Sequence, residues 1–327
     1  MKRREFTAAV GATALGWPVA TLGQRRSDPV IGLLNSRTAE DTQHLIAGFK
    51  KGLAENDYVD GRNITIEYRW ARGRYDRLPA LAVELVSRNV TVLVATGGEP
   101  VALAAQAATS TIPIVFTVSG DPAQLGLAQS FARPGGNATG VSNFQSDIGA
   151  KRLGLLRQLA RQGATIAFLS NPAFPTAETQ LIDAREGATS LGLKLDVYRA
   201  TTPPEIETAF AQIAESRPTA LIVAADPFFD TRRDQIVKLA AAATVPAIYH
   251  LREYAVAGGL ISYGVSLPDV YRQMGNYTGR ILQGKRPADL PIIRPTRFEL
   301  VVNLKAAEAL GLTVPQSILA GADEVIE

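Results

Sequence analysis

Hydroxyl, amide and carboxylate side chains follow several apolar runs in this chain, and their types suit holding a small polar molecule. Ser36 comes after the run Val30–Leu34. Thr96, Gly97 and Gly98 follow Val90–Ala95, Ser119 and Asp121 follow Pro113–Val118, and Asn143 follows the extended segment 139–142. Asn171, Asp226, Phe228, Tyr249, Glu253 and Tyr263 occupy comparable places further along. Free N–H groups at a helix start, flanked by glycines, let a carboxylate or other anion approach closely, which is one use for Thr96–Gly98. The other is a tight turn that needs glycine for its dihedral angles. An acid at a strand end suits an ammonium group, a role open to Asp226 and, from the opposite side, to Asp121. Each also reads as a turn or capping residue before proline. Phe228, Tyr249 and Tyr263 offer rings for stacking on a flat ligand or for packing a core.

Catalytic sets are sparse. The chain has no cysteine, which excludes disulfides, thiolate metal sites and cysteine nucleophiles. It has two histidines, His44 and His250, too few for a three-histidine metal site. His44 falls in an amphipathic stretch, and His250 ends a strand with no evident serine–carboxylate pair to match it. There is no G-x-S-x-G elbow. Gly279–Arg286 is one residue short of a Walker A motif, lacks its Ser or Thr and lies at a helix end. The Gly97–Gly98 doublet lacks the G-x-G-x-x-G spacing, so no dinucleotide and no other cofactor is expected.

The elements that must carry these loops alternate regularly. The run Val30–Leu34 reads as a strand, and residues 40–56 as a helix with Leu45, Ile46, Phe49 and Leu53 on one face. Strand and helix continue to alternate over short connections, which argues for βαβ units on parallel sheets covered by helices. The pattern breaks at Arg133–Asn137 and again at Gly258–Gly264. The halves echo each other, since Ile114–Val118 and Leu221–Ala225 both run into an Asp-Pro pair. We therefore expect an α/β protein with two doubly wound, Rossmann-like lobes joined by hinge crossings. Lobe one spans 29–141 plus 265–327, and lobe two spans 142–264. Ligands of such sheets bind at the carboxyl ends of the strands.

Residues 1–23 combine a basic start, a short Gly/Ala-rich apolar run and small residues at the end, the pattern of a secretory leader cleaved after Gly23. Arg3-Arg4 followed by Phe6 is similar to a twin-arginine signal, although Lys2 keeps the Sec route open. The body is thus expected in the periplasm. Lys2, Arg3, Arg4 and Glu5 account for +2 of the net charge of +3, so the remainder is no basic footprint for nucleic acid.

Several segments together resemble the tryptophan/tyrosine-type ABC transporter substrate-binding proteins, a family with the type 1 periplasmic binding protein fold. They are Gly61–Ala71, Gly73–Pro79, Ser119–Pro122, Arg133–Asn137 with Thr139–Ser142, Asp226–Phe229, Gly258–Gly264 and Phe298–Lys305, along with the Arg-Arg-Glu-Phe leader. The match spans nearly the whole chain. It implies a periplasmic receptor that closes on a small solute, an amino acid or an aromatic or amide compound. The receptor would pass that solute to an inner-membrane permease and its ATPase, with the leader read by the export machinery. By position, Ser36, Thr96–Gly98, Ser119 and Asp121 would line lobe one, and Asn171, Asp226 and Tyr263 lobe two. Two alternatives stay open: an exported doubly wound hydrolase or transferase using cleft carboxylates, and a ligand-sensing domain.

Overall fold

A computed structural model describes residues 28–143, 148–159 and 163–327, so the proposed leader lies outside the described residues. The first lobe begins with β1 (Val30–Asn35), α1 (Gln43–Ala54), β2 (Thr65–Trp70), α2 (Leu78–Ser87) and β3 (Val92–Thr96). It continues with α3 (Glu99–Ala108), β4 (Ile114–Val118) and β5 (Ala138–Ser142). These strands form a five-stranded parallel sheet in the order β2-β1-β3-β4-β5. Every residue of β3, β4 and β5 is buried, as both faces of a parallel sheet must be under covering helices. Edge strand β2 is largely half-buried.

The second lobe starts with α4 (Gly149–Arg157), β6 (Thr165–Ser170), α5 (Ala177–Ser190), β7 (Lys194–Arg199) and α6 (Pro203–Ser216). Then come β8 (Ala220–Val223), α7 (Pro227–Asp230), α8 (Arg233–Ala242), β9 (Ala247–Tyr249), α9 (Arg252–Val256) and β10 (Ile261–Val265). Next α10 (Leu267–Leu282) returns to the first lobe, where it packs along α1 and over β3, β4 and β5. The following segment runs beside β5, with Ile293 N–H donating to the Gly140 carbonyl at 2.9 Å.

The end of the chain differs from the sequence-based expectation. β11 (Phe298–Asn303) pairs antiparallel with β10, from Ile261–Val302 to Val265–Phe298. After α11 (Leu304–Ala309) and α12 (Gln316–Ala320), β12 (Glu324–Ile326) adds in parallel to β11. Both strands therefore belong to the second sheet, ordered β12-β11-β10-β9-β8-β6-β7, and only α10 and the segment after it complete the first lobe. Strand–helix alternation predicts elements, but not which of two sheets receives the next strand. Here the edge left open by β10 receives it.

Close approach of α1 and α10 depends on glycine. A Cβ at Gly52 would overlap the Arg272 carbonyl, and one at Gly275 would overlap the Phe49 carbonyl. The two helices thus touch backbone to backbone, which sets the start of α10 and the crossing that precedes it.

Candidate ligand-binding site

Loops from the carboxyl ends of both sheets meet between the lobes and enclose a cavity of about 40 Å³. Among the sequence-predicted residues, Gly97, Gly98, Ser119 and Asn143 line it from the first lobe and Asp226 from the second. Gly97 and Gly98 have φ of +94° and +95°, backbone that glycine adopts without strain. A Cβ at Gly97 would overlap Ser36 Oγ, and that hydroxyl donates to the Gly97 carbonyl at 2.7 Å. Thr96 Oγ1 donates to the Leu34 carbonyl at 3.2 Å. Ser36 and Thr96 thus support the loop from beneath rather than face the cavity.

The start of α3 already holds a carboxylate of the chain itself. Glu99, its first residue, is fully buried. Its Oε1 accepts from the Ser119 N–H (2.8 Å), the Ser119 hydroxyl (2.5 Å) and the Gly120 N–H (2.9 Å). Glu99 lines the same cavity, and its Oε2 is buried with no hydrogen-bond partner among the described residues. Burial raises the Glu99 pKa, and the three donors only partly offset it.

Asp226 caps α7 through Phe228 N–H, which donates to its Oδ1 at 2.7 Å. From across the cleft the Tyr75 hydroxyl donates to the same oxygen, while accepting from Phe228 N–H at 3.0 Å. Oδ2 has no partner within hydrogen-bond geometry among the described residues, and the residue is 1% exposed. Burial lifts its pKa from 3.8 to about 7, against the pull of Tyr75, Phe228 and the nearby Asn171 amide. The capping and cleft-facing readings of Asp226 therefore both hold geometrically. Asn171 lies behind it and accepts from Ala173 N–H at 3.0 Å.

Arg37, from the loop after β1, reaches the second lobe and meets Asp230 at 2.5 Å. His250 Nε2 stands 3.0 Å from the other Asp230 oxygen, which the Tyr254 hydroxyl also approaches at 3.2 Å. Burial alone would raise the Asp230 pKa. His250 and Arg37 reverse this and hold it at about 2. The sequence hid this arrangement, because Arg37 reads as one solvated base among many and Asp230 as a helix-surface acid. Glu99 was similarly masked, since an acid in a first helical turn already has a use against the helix dipole.

Other predicted residues lie elsewhere. Asp121 closes a turn by accepting from Ala123 N–H at 2.8 Å, outside the cavity. Tyr249 is buried in the core of the second lobe, stacked on Tyr254 with ring centroids 4.6 Å apart. Tyr263 stacks on Phe298 of neighbouring β11, at 5.9 Å. The Phe228 ring is 5% exposed and packs against Phe229, so only its backbone serves the site. Glu253 pairs with His44 at 2.8 Å on the rim. Aromatics at strand ends satisfy core packing equally well, and composition does not separate the two roles. The cavity's rings come instead from Phe174, whose edge lies near Gly98, and from Tyr271 and His250.

A larger open groove of about 870 Å³ passes beside the crossings at Ser266 and Arg297. Some of its charges pair with each other, as Arg233 with Asp41 (3.1 Å) and Arg252 with Glu324 (2.6 Å). The cavity between the lobes, by contrast, is lined by residues whose buried polar atoms lack partners among the described residues, so it is the better ligand site.

Two α/β lobes whose strand ends face each other across a polar cleft define a solute-binding clamshell. The family model for ABC transporter substrate binding protein matches residues 38–326, and the chain belongs to that family. A tyrosine-binding protein of Clostridioides difficile is 26% identical over 265 residues, 81% of this chain and 76% of the relative. Among solved structures, the ABC domain from Streptococcus pneumonia in complex with L-Trp superposes with a TM-score of 0.84 at 25% identity, covering 92% of this chain and 100% of that one. The ligand-free, open structure of a substrate binding protein from Clostridium difficile gives 0.67 at 26% identity, covering 91% and 99%. The protein is thus a solute-binding component of an ABC transporter, with a small molecule as ligand.

Proposed function

We propose that the chain is the exported receptor of an ABC importer and that it holds an amine-bearing solute of the amino-acid class between its lobes. One observation carries the reading: Asp226 is buried in the closed cleft with Oδ2 unpartnered, an arrangement that an ammonium group completes. The tyrosine-binding and L-Trp-bound relatives place amino acids among the solutes to test first. Binding without turnover shifts an open–closed equilibrium, and the closed form presents both lobes to the permease, whose ATPase drives transport. Residues 1–23 act as a twin-arginine-type leader removed after Gly23, which delivers the body to the periplasm.

Native mass spectrometry of protein purified from its own cells reads the copurified solute directly, and thermal-shift titration with amino acids and amides checks it. We expect one amine-bearing solute to raise the midpoint. Steady conversion of a solute would remove the receptor reading. N-terminal sequencing of the secreted form tests the leader, with residue 24 expected first.

A further inference from the structure

Three ionisable residues lining one small space, besides Thr117, each carry a buried polar atom with no hydrogen-bond partner among the described residues. Glu99 Oε2 comes from the first lobe and Asp226 Oδ2 from the second, and both are acceptors when ionised. The third is Arg37 Nε, a donor, because the far end of that guanidinium is committed to Asp230. Arg37 and Asp230 neutralise each other as an ion pair. Glu99 and Asp226 enter no ion pair among the described residues, and Arg37, which lines the same cavity, is already paired with Asp230. Their chain neighbours lie close across the cleft, since a Cβ added at Gly98 would lie 3.2 Å from Pro227 Cγ.

Building on the receptor reading above, we propose that the site selects a solute of net positive charge. Its ammonium or guanidinium groups are shared between Glu99 and Asp226, in preference to a neutral amino acid. The class comprises basic amino acids, whose carboxylate meets Arg37 Nε, and the diamines or guanidino-amines that lack one. A neutral zwitterion satisfies one of the two acids and leaves the other buried and unmatched, a cost that falls on the complex. A metal ion fits less well, because among the described residues no group of three or more His, Asp or Glu side chains is placed to hold one.

The groups facing the two acids are few. Around Glu99 they are Ser119 and Gly120, and around Asp226 they are Tyr75, Asn171, the Phe228 N–H and, at longer range, Asp230. Arg37, already paired with Asp230, and His250, 3.0 Å from Asp230, also line the cavity and are its cationic and protonatable groups. Burial favours the protonated form of both acids, so a cation that binds their ionised forms expels protons. Affinity for it then rises as pH climbs through about 7, the value for Asp226.

Calorimetric titration of the whole secreted protein at pH 7.5 with L-lysine, L-arginine, putrescine, agmatine, L-tryptophan and L-tyrosine decides the matter. At least one cation is expected to bind tenfold or more tightly than either aromatic, roughly one charged hydrogen bond. The lysine and putrescine arms separate the amino-acid source from the diamine source. Glu99→Gln keeps an acceptor for Ser119 and Gly120, and it should cost the cation about tenfold while leaving the ligand-free melting point unchanged or higher. If that variant fails to fold, buffers of different ionisation enthalpy measure proton release in the native protein instead. Tighter binding of tryptophan or tyrosine than of every cation overturns the proposal and leaves the receptor reading standing. Binding of none of the six overturns the proposal, and the copurified solute then decides the receptor reading separately.

Discussion

At the residue scale, the acids of the cleft respond to burial in opposite ways. The Asp226 pKa rises from 3.8 to about 7 on folding, so between those values the folded chain holds a proton that the unfolded chain has released. Its contribution to stability therefore falls as pH climbs from about 4 to about 7. Asp230 runs the other way. Its folded value near 2 lies below 3.8, so the stabilisation from Arg37 and His250 is present above about pH 4 and lost as pH falls towards 2. Asp226→Asn keeps the oxygen that accepts from Tyr75 and Phe228, and it removes the buried charge. We expect this variant to melt above the parent at pH 8, by the equivalent of a few kcal/mol at most, and to converge with it near pH 4. It should also lose most affinity for an amine-bearing solute. Melting curves across pH check the first part, and a variant no more stable than the parent at pH 8 would count against a charged Asp226 in the ligand-free protein.

At the element scale, the pairing of α1 with α10 determines how the chain re-enters the first lobe. Gly48, Gly52 and Gly275 permit contact of the two backbones, with Gly48 so close that a Cβ would fall 2.5 Å from the Pro268 carbonyl. Gly52→Ala cannot be absorbed by a side-chain rotation, because the atom it meets is backbone. The helices must separate, and about 1–3 kcal/mol or more of stability is lost. Because α10 follows directly from β10, the same shift disturbs the crossing. We expect a lowered unfolding midpoint together with weakened ligand affinity. An unchanged midpoint would show that the helices have room to spare.

At the scale of the whole molecule, the lobes are held together by direct contacts. Arg37–Asp230, Arg233–Asp41 and His44–Glu253 join the first lobe to the second, and Tyr75 joins Asp226. This closed disposition agrees with the higher TM-score against the L-Trp complex than against the open, ligand-free relative, at nearly equal identity. Gly120 lies on the closing surface, where a Cβ would stand 3.0 Å from Thr176 Cγ2. A larger side chain there props the lobes apart without touching either core. Gly120→Val should therefore lower thermal stability modestly through the strained inter-lobe contacts, lower solute affinity by about tenfold or more, and keep the radius of gyration of the solute-saturated protein at its ligand-free value. Small-angle scattering reads that radius. Compaction equal to the parent's would show that closure does not bring Gly120 and Thr176 together.

Local pattern determined much of this protein by itself. Apolar runs of strand length, helical periodicity and short connections specify α/β units, and the repeated Asp-Pro strand ends announce two similar halves. The loops at strand ends followed from that order, which is why Gly97, Gly98, Ser119, Asn143 and Asp226 were legible as candidates. What only the tertiary structure decided is non-local. Arg37 and Asp230 are 193 residues apart, and nothing near either one signals the other. Glu99 stands in a position where a helix start welcomes any acid. Whether Tyr249 and Tyr263 turn to a cleft or to a core depends on which sheet their neighbours join, and Phe298–Asn303 joins the second because β10 leaves an edge there. Side-chain periodicity records which residues must be buried. The identity of what buries them, or pairs with them, is set by packing between segments far apart in the chain.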